Sequence, residues 1–156
     1  MKTFKDNAGR TWTIAVNVDA IKRVKALLGI NLLEVLDGKL VERFASDPIL
    51  LVDVVYAICK TEADAQNVSD VQFGQAMGGN SLDLATTALM EELVDFFPSQ
   101  RRAMLRKALE KFHQAETMVL DSINAKLEGP ELDAQIKKII EAEPKLPGAP
   151  VGNSQV

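Results

Sequence analysis

The sequence predicts a mainly α (α+β) fold: an N-terminal β-hairpin followed by a compact multi-helix domain with one long C-terminal helix. Three observations carry this. The first sixteen residues alternate apolar and polar side chains around a turn signal, the pattern of paired strands. Beyond them apolar residues recur at three- and four-residue steps, the period of a helix with one buried face. Between the periodic stretches stand helix boundaries: Asp47-Pro48, Ser69, Gly78-Gly79-Asn80-Ser81, Pro98-Ser99 and Gly129-Pro130.

The hairpin is centred on Asp6-Asn7-Ala8-Gly9. Asp and Asn bond nearby backbone groups, and Gly9 accepts a positive φ without steric cost. Trp12, Ile14 and Val16 share one face of the second strand, Thr11, Thr13 and Ala15 the other, and Phe4 is placed to reach the Trp12 side diagonally. A lone hairpin is marginal in water, so this one must pack on helices or join another sheet. Asp19 is read as the cap of a helix striped by Ala20, Ile21, Val24, Leu27 and Leu28, with Gly29 as its stop. Ile30–Leu36 fits a short helix or a third strand, and Asp37-Gly38 turns the chain. Leu40, Val41 and Phe44 suggest one or two helical turns. Asp47 with Pro48 at the first helical position opens a central helix over 49–59, apolar on nearly all sides except at Asp53 and Tyr56. Ser69 and Gln72 form a capping box before Val71, Phe73 and Met77. Ser81 is read as the cap of a helix burying Leu82, Ala85, Leu89, Leu93 and Phe96 or Phe97. Ser99 opens the long helix, striped by Leu105, Ala108, Phe112, Ala115, Val119 and Ile123.

The 156 residues suit one domain, large enough to bury roughly 70% of its unfolded surface. The expected organisation is a globular domain over 1–128 (hairpin 3–16 plus helices), a short appended helix over 129–143 with Leu132, Ile136 and Ile139 or Ile140 as its stripe, and a flexible Pro/Gly-rich tail over 144–156. A net charge of −4 argues against a nucleic-acid binder. The single cysteine, Cys59, cannot close an internal disulfide and sits in an apolar run as a buried, inert thiol. The N-terminus has no signal-peptide pattern, and the longest apolar run, 49–59, falls short of the ~20 residues needed to cross a bilayer. The chain reads as cytosolic, with no membrane partner.

No segment carries recognisable catalytic chemistry. The only histidine, His113, lies in Glu110-x-x-His113-x-x-Glu116, a spacing used by di-metal carboxylate bundles. Those need a second such motif, so the triplet is read as a solvated face. One His and one Cys leave no zinc set. A Ser-His-Asp hydrolase would need His113 and a nucleophile elbow that is not present. Gly78-Gly79-Asn80-Ser81 lacks the lysine and spacing of a phosphate-binding loop. Catalytic, cofactor and metal residues are therefore none. Arg101, Arg102, Arg106, Lys107 and Lys111 gather positive charge at the start of the long helix, against the helix dipole, and form either a solvated face or a contact to an acidic partner.

Several strings, taken in order, carry a resemblance: Thr3-Phe4-Lys5-Asp6-Asn7-Ala8-Gly9-Arg10-Thr11-Trp12-Thr13-Ile14, Asp19-Ala20-Ile21-Lys22-Arg23-Val24, Asp47-Pro48-Ile49-Leu50-Leu51-Val52-Asp53-Val54-Val55-Tyr56, Ser69-Asp70-Val71-Gln72-Phe73-Gly74 and Leu89-Met90-Glu91-Glu92-Leu93-Val94-Asp95-Phe96-Phe97-Pro98. Over about residues 3 to 112 the chain resembles the small tail assembly chaperones of long-tailed bacteriophages. The resemblance implies a mostly helical protein that binds the long, apolar, helical tape-measure protein, keeps it soluble, and helps tail-tube subunits polymerise around it. It further implies work in the cytoplasm of the bacterial host, absence from the finished virion, in many members a longer frameshifted form, and no catalytic residues.

A chaperone for a helical client needs an apolar surface left open in the free state. The expected surfaces are the apolar sides of the helices around Ile49–Tyr56 and Leu82–Phe97, and the outer edge of Phe4–Val16, which could recruit a strand from a neighbour. The candidate partner-binding residues are Phe4, Trp12, Ile14, Leu50, Val54, Tyr56, Leu89, Leu93, Phe97, Arg101 and Arg102. A homo-oligomer stays open. Two other readings compete: a structural phage tail or head-tail protein retained in the virion, and a small helical regulatory or nucleic-acid-binding protein using the Arg101–Lys111 cluster.

Overall fold

The structure, a computed structural model, describes residues 1–142. Strands β1 (Lys2–Lys5) and β2 (Thr11–Ile14) pair antiparallel, followed by helices only, so the fold is mainly α as expected. The expected tail, 144–156, lies outside the described residues. The register sets Phe4 directly opposite Trp12, closer than the diagonal placement read from the sequence. The reason is the loop: the Asp6 amide donates to the Arg10 carbonyl at 2.9 Å, which closes a five-residue connection and fixes the pairing above it.

One side chain organises that loop. The Asp6 carboxylate is buried, 5% exposed, and accepts four N–H groups. The Ala8 and Arg10 amides reach Oδ1 at 2.9 Å each; Arg10 Nε and Trp12 Nε1 reach Oδ2 at 3.0 and 2.9 Å. Burial alone pushes this carboxyl up, but the bonds from Trp12, Arg10 and Ala8 and the Arg10 charge outweigh it, and the group titrates below the usual carboxylate range. Trp12 is thereby oriented: its ring is fully buried and meets Phe73 edge-on at 5.0 Å.

The helices start and stop by local rules. Helix α1 (Val18–Leu28) is capped by Asn17, whose side chain accepts from the Ala20 amide, rather than by Asp19. Asn17 holds the extended backbone a cap needs, while Asp19 sits in the first turn and pairs with Arg23. Gly29 ends α1 in the left-handed conformation, as expected. The ambiguous stretch is a 3-10 helix, Leu32–Asp37, leading through Gly38 into α2 (Lys39–Ser46). Asp47 caps α3 (Pro48–Ile58) with Pro48 at its first position. A short α4 (Lys60–Ala65) escaped sequence reading, and α5 (Asp70–Gln75) carries the Ser69–Gln72 capping box. Helix α6 (Asn80–Phe96) begins one residue before Ser81. Ser81 is not its cap: the hydroxyl is buried, accepts from the Gly78 amide at 3.0 Å and donates back to the Gly78 carbonyl at 2.9 Å. Helices α7 (Ser99–Glu128) and α8 (Pro130–Ala142) complete the chain.

The chain divides into two compact units, Met1–Lys107 and the residues from Ala108 on, and the division falls inside α7. The first holds the core: Trp12, Ile14, Val24, Leu32, Leu40, Val54, Val55, Phe73, Leu89 and Leu93 are all essentially inaccessible. The hairpin is tied to its helices through polar groups as well. The Thr13 amide donates to Glu62 Oε2 at 2.9 Å, Cys59 Sγ donates to the Thr13 carbonyl at 3.4 Å, and the Asn7 amide donates to the Ala76 carbonyl at 2.9 Å. Arg23 donates to the Ile58 carbonyl at 2.8 Å, so α1 supplies the cation at the C-terminus of α3. In the second unit, none of residues 108–142 is fully buried.

Removing the Asp6 carboxylate leaves several part-buried donors unpaired, each costing about 1–3 kcal/mol. Asp6→Ala is expected to lose about 3–5 kcal/mol of unfolding free energy by urea titration. Because the folded carboxyl titrates low, its contribution is complete at neutral pH and is lost as pH falls below about 4. The acid limb of stability should therefore be flatter in the variant.

Candidate functional site

The structure moves most of the expected contact residues indoors. Phe4, Trp12, Ile14, Val54, Leu89, Leu93 and Phe97 are buried, so none of them offers a surface to a partner. The cause is common to all seven: the apolar face of the hairpin and the inner faces of α3 and α6 cover one another, which satisfies the same periodicity that marked them as candidates. Leu50, Tyr56 and Arg102 are half-buried and Arg101 is exposed. The outer edge of β2 is closed as well, since both polar backbone groups of Thr13 are taken by Glu62 and Cys59. The edge therefore gives no free ladder for strand addition at that residue.

Among the described residues, each unit carries an open apolar surface. In the first, a cleft of about 330 Å³ lies among α3, α5 and the start of α6. Ile49, Val52 and Tyr56 form one wall, Val71 the other, with Phe73 and Leu82 between them. Phe73 is fully buried and meets Tyr56 at 5.3 Å between ring centroids. Ile49 and Val71 are 74% and 62% exposed. Their exposure had a sequence signal. Ile49 precedes the buried Leu51 by two residues, and Val71 precedes the buried Phe73 by two; on a helix such pairs point apart. The polar pair noted in α3 also lines the cleft. Burial first, then the charges of Asp70 and Asp47, raise the Asp53 carboxyl above its ordinary range.

In the second unit the stripe of α7 stays uncovered. Phe112 is half-buried, while Met118, Val119, Leu120, Ile123 and Leu127 are exposed. On α8, Ile136, Ile139 and Ile140 are exposed too. Three consecutive apolar residues, 118–120, point to different sides of α7, and all three are exposed. Gly129 makes the break between α7 and α8: a Cβ there would meet the Ala125 carbonyl oxygen at 2.9 Å.

The basic cluster is partly engaged within the chain. Arg106 donates to Asp95 Oδ1 at 2.8 Å, and Arg102 donates to the Phe97 carbonyl at 3.3 Å, at the C-terminus of α6 where a cation is favoured. That resolves the apparent conflict with the dipole of α7. His113, Glu110 and Glu116 are exposed on α7, and no group of three or more His, Cys, Asp or Glu among the described residues is arranged to hold a metal ion. No helix of the described residues is long and apolar enough to cross a membrane.

Among the described residues, Cys59 is the strongly perturbed group. Burial, reinforced by Glu62 and opposed by Arg23, pushes its thiol up to about 12. A thiol that resists ionisation is a poor nucleophile. Its folded value is raised, so its contribution to stability is full below the unfolded value near 8.5 and is lost as pH rises towards 12. Two outcomes are expected: the folded protein reacts with a thiol-disulfide reagent only under denaturing conditions, and the loss of stability between pH 9 and 11 is steeper in the wild type than in Cys59→Ala, by up to about 1.4 kcal/mol per pH unit. Comparison with protein-family models, with curated proteins and with solved structures returns no match for this chain.

Proposed function

We propose that this chain is a non-enzymatic tail assembly chaperone of a long-tailed bacteriophage, acting in the host cytoplasm. It binds the apolar, helical tape-measure protein and promotes assembly of tail-tube subunits around it. Two things support the reading: the resemblance over residues 3 to 112, and the apolar stripe of α7 and α8 beyond it. The observation that carries it is the stripe. Val119, Leu120, Ile123 and Leu127 on α7 and Ile139 and Ile140 on α8 are each about half exposed or more, and none of the described residues of their unit, 108–142, is fully buried. Helices draw most of their stability from covering an apolar face, so a helical client that covers the stripe gains from its burial and holds the helices in place.

Co-expression with a long apolar helical client tests this. Wild-type chain should keep the client in the soluble fraction and co-purify with it. Val119→Asp combined with Ile123→Asp removes two apolar contacts worth ~1.5–3 kcal/mol each and buries charge in their place, so affinity should fall at least about 100-fold. Both positions are exposed, so unfolding free energy should shift by less than about 1 kcal/mol. Equal solubilisation by the double variant would remove the stripe as the client site.

A further inference from the structure

The cleft in the first unit has a charge pattern as well as a shape. Its α3 wall, Ile49, Val52, Asp53 and Tyr56, follows the i, i+3, i+4, i+7 pattern of one helix face and runs about 10 Å, two turns. That length matches two turns of another helix laid alongside. Among the described residues, the charged side chains lining the cleft are Asp53 and Asp70, one on each wall, and no Lys, Arg or His lines it. Asp47, the cap of α3, adds a third carboxylate that Asp53 senses. Lys60 senses Asp70 and Tyr56, but its ammonium is bonded to Asp64. The cleft thus joins an apolar floor, apolar lips at Ile49 and Val71, and a negative rim whose carboxylates have no bonded cation among the described residues.

We propose that this cleft is a docking site for a cationic amphipathic helical segment of a partner polypeptide. The segment's apolar side chains enter between Ile49 and Val71 onto the half-buried Tyr56, Met77 and Leu82, and its lysines or arginines lie beside Asp53 and Asp70. The charges select the partner and the apolar floor supplies affinity, the usual division of labour at such surfaces. A neutral or acidic apolar helix fits the same cleft but leaves two carboxylates partly desolvated without a counter-charge. The inference stands apart from the chaperone reading, because it concerns a different surface and holds for any partner of that chemistry.

The test uses the full chain and two labelled synthetic helical peptides of about sixteen residues. Each carries leucines at three- and four-residue steps; one has lysines flanking them, the other glutamates. Fluorescence anisotropy should show the lysine peptide binding about 10-fold tighter or more, a preference that shrinks as salt is raised. Asp53→Asn with Asp70→Asn should abolish the preference; Asp53→Asn alone, at an exposed helix position, should reduce it by about half on a logarithmic scale and guards against a folding defect in the double variant. Ile49→Ser with Val71→Ser should weaken the lysine peptide about 10-fold. Equal affinity for both peptides, no binding of either, lysine-peptide binding untouched by the cleft variants, or a self-associated chain that Ile49→Ser with Val71→Ser dissociates would each overturn the proposal.

Discussion

The Asp6 carboxylate is the constraint on which the first unit turns. A carboxylate with almost no exposure is costly unless its lone pairs are used, and here they are used by two loop amides, a guanidinium and an indole. The consequence is geometric. The loop closes in one way, the strand register follows, and Trp12 is held at an angle that presents its edge to Phe73. Phe73 in turn contacts Tyr56 of α3. A polar anchor of one residue thus sets the position of the largest side chain in the core, and the helices assemble against it.

The sequence disclosed what depends on neighbours along the chain. Gly29, Asp47-Pro48, the Ser69–Gln72 box and Gly129-Pro130 act through local backbone geometry, and they mark boundaries where expected. Where nearby residues compete for a cap, the boundary falls a residue or two away from the expected one, as with Asn17 against Asp19, and with Gly79, which caps α6 without a side-chain bond, against Ser81. Tertiary ties were illegible. Nothing near Asp6 in the sequence announces a bond to the Trp12 indole, and nothing near Thr13 announces Glu62, 49 residues away. The candidate residues failed for a related reason. Apolar periodicity finds the face that will be covered, so Trp12, Val54, Leu89 and Leu93 were found because they are core. The open surface is marked by the residues that break the period: Ile49, Val71 and the run 118–120.

The two open surfaces differ in what they ask of a partner. The stripes of α7 and α8 are apolar and exposed, and none of the described residues of their unit is fully buried. Covering them stabilises the helices themselves, which makes binding and ordering one event and tolerates variety in the partner. The cleft among α3, α5 and α6 belongs to a unit with a complete core, so its walls are held before anything arrives. A preformed cleft with fixed carboxylates discriminates, because the charges cannot move to suit a wrong partner.

The sealed edge of β2 narrows the mode of recognition further. A two-stranded sheet exposes unpaired backbone groups on both outer edges, and strand addition is the cheapest interaction such a sheet can make. Here Thr13 spends its amide on Glu62 and its carbonyl on Cys59, and the Val16 amide is bonded to Glu92, itself buried. Adding a strand there requires breaking these bonds and leaving the Glu62 carboxylate without the Thr13 amide, while Glu92 keeps its ion pair with the Met1 ammonium. Each bond broken costs about as much as the new ladder bond would return. Side-chain surfaces on helices carry no such penalty, so at Thr13 and Val16 the hairpin favours partners that meet helix faces rather than its backbone.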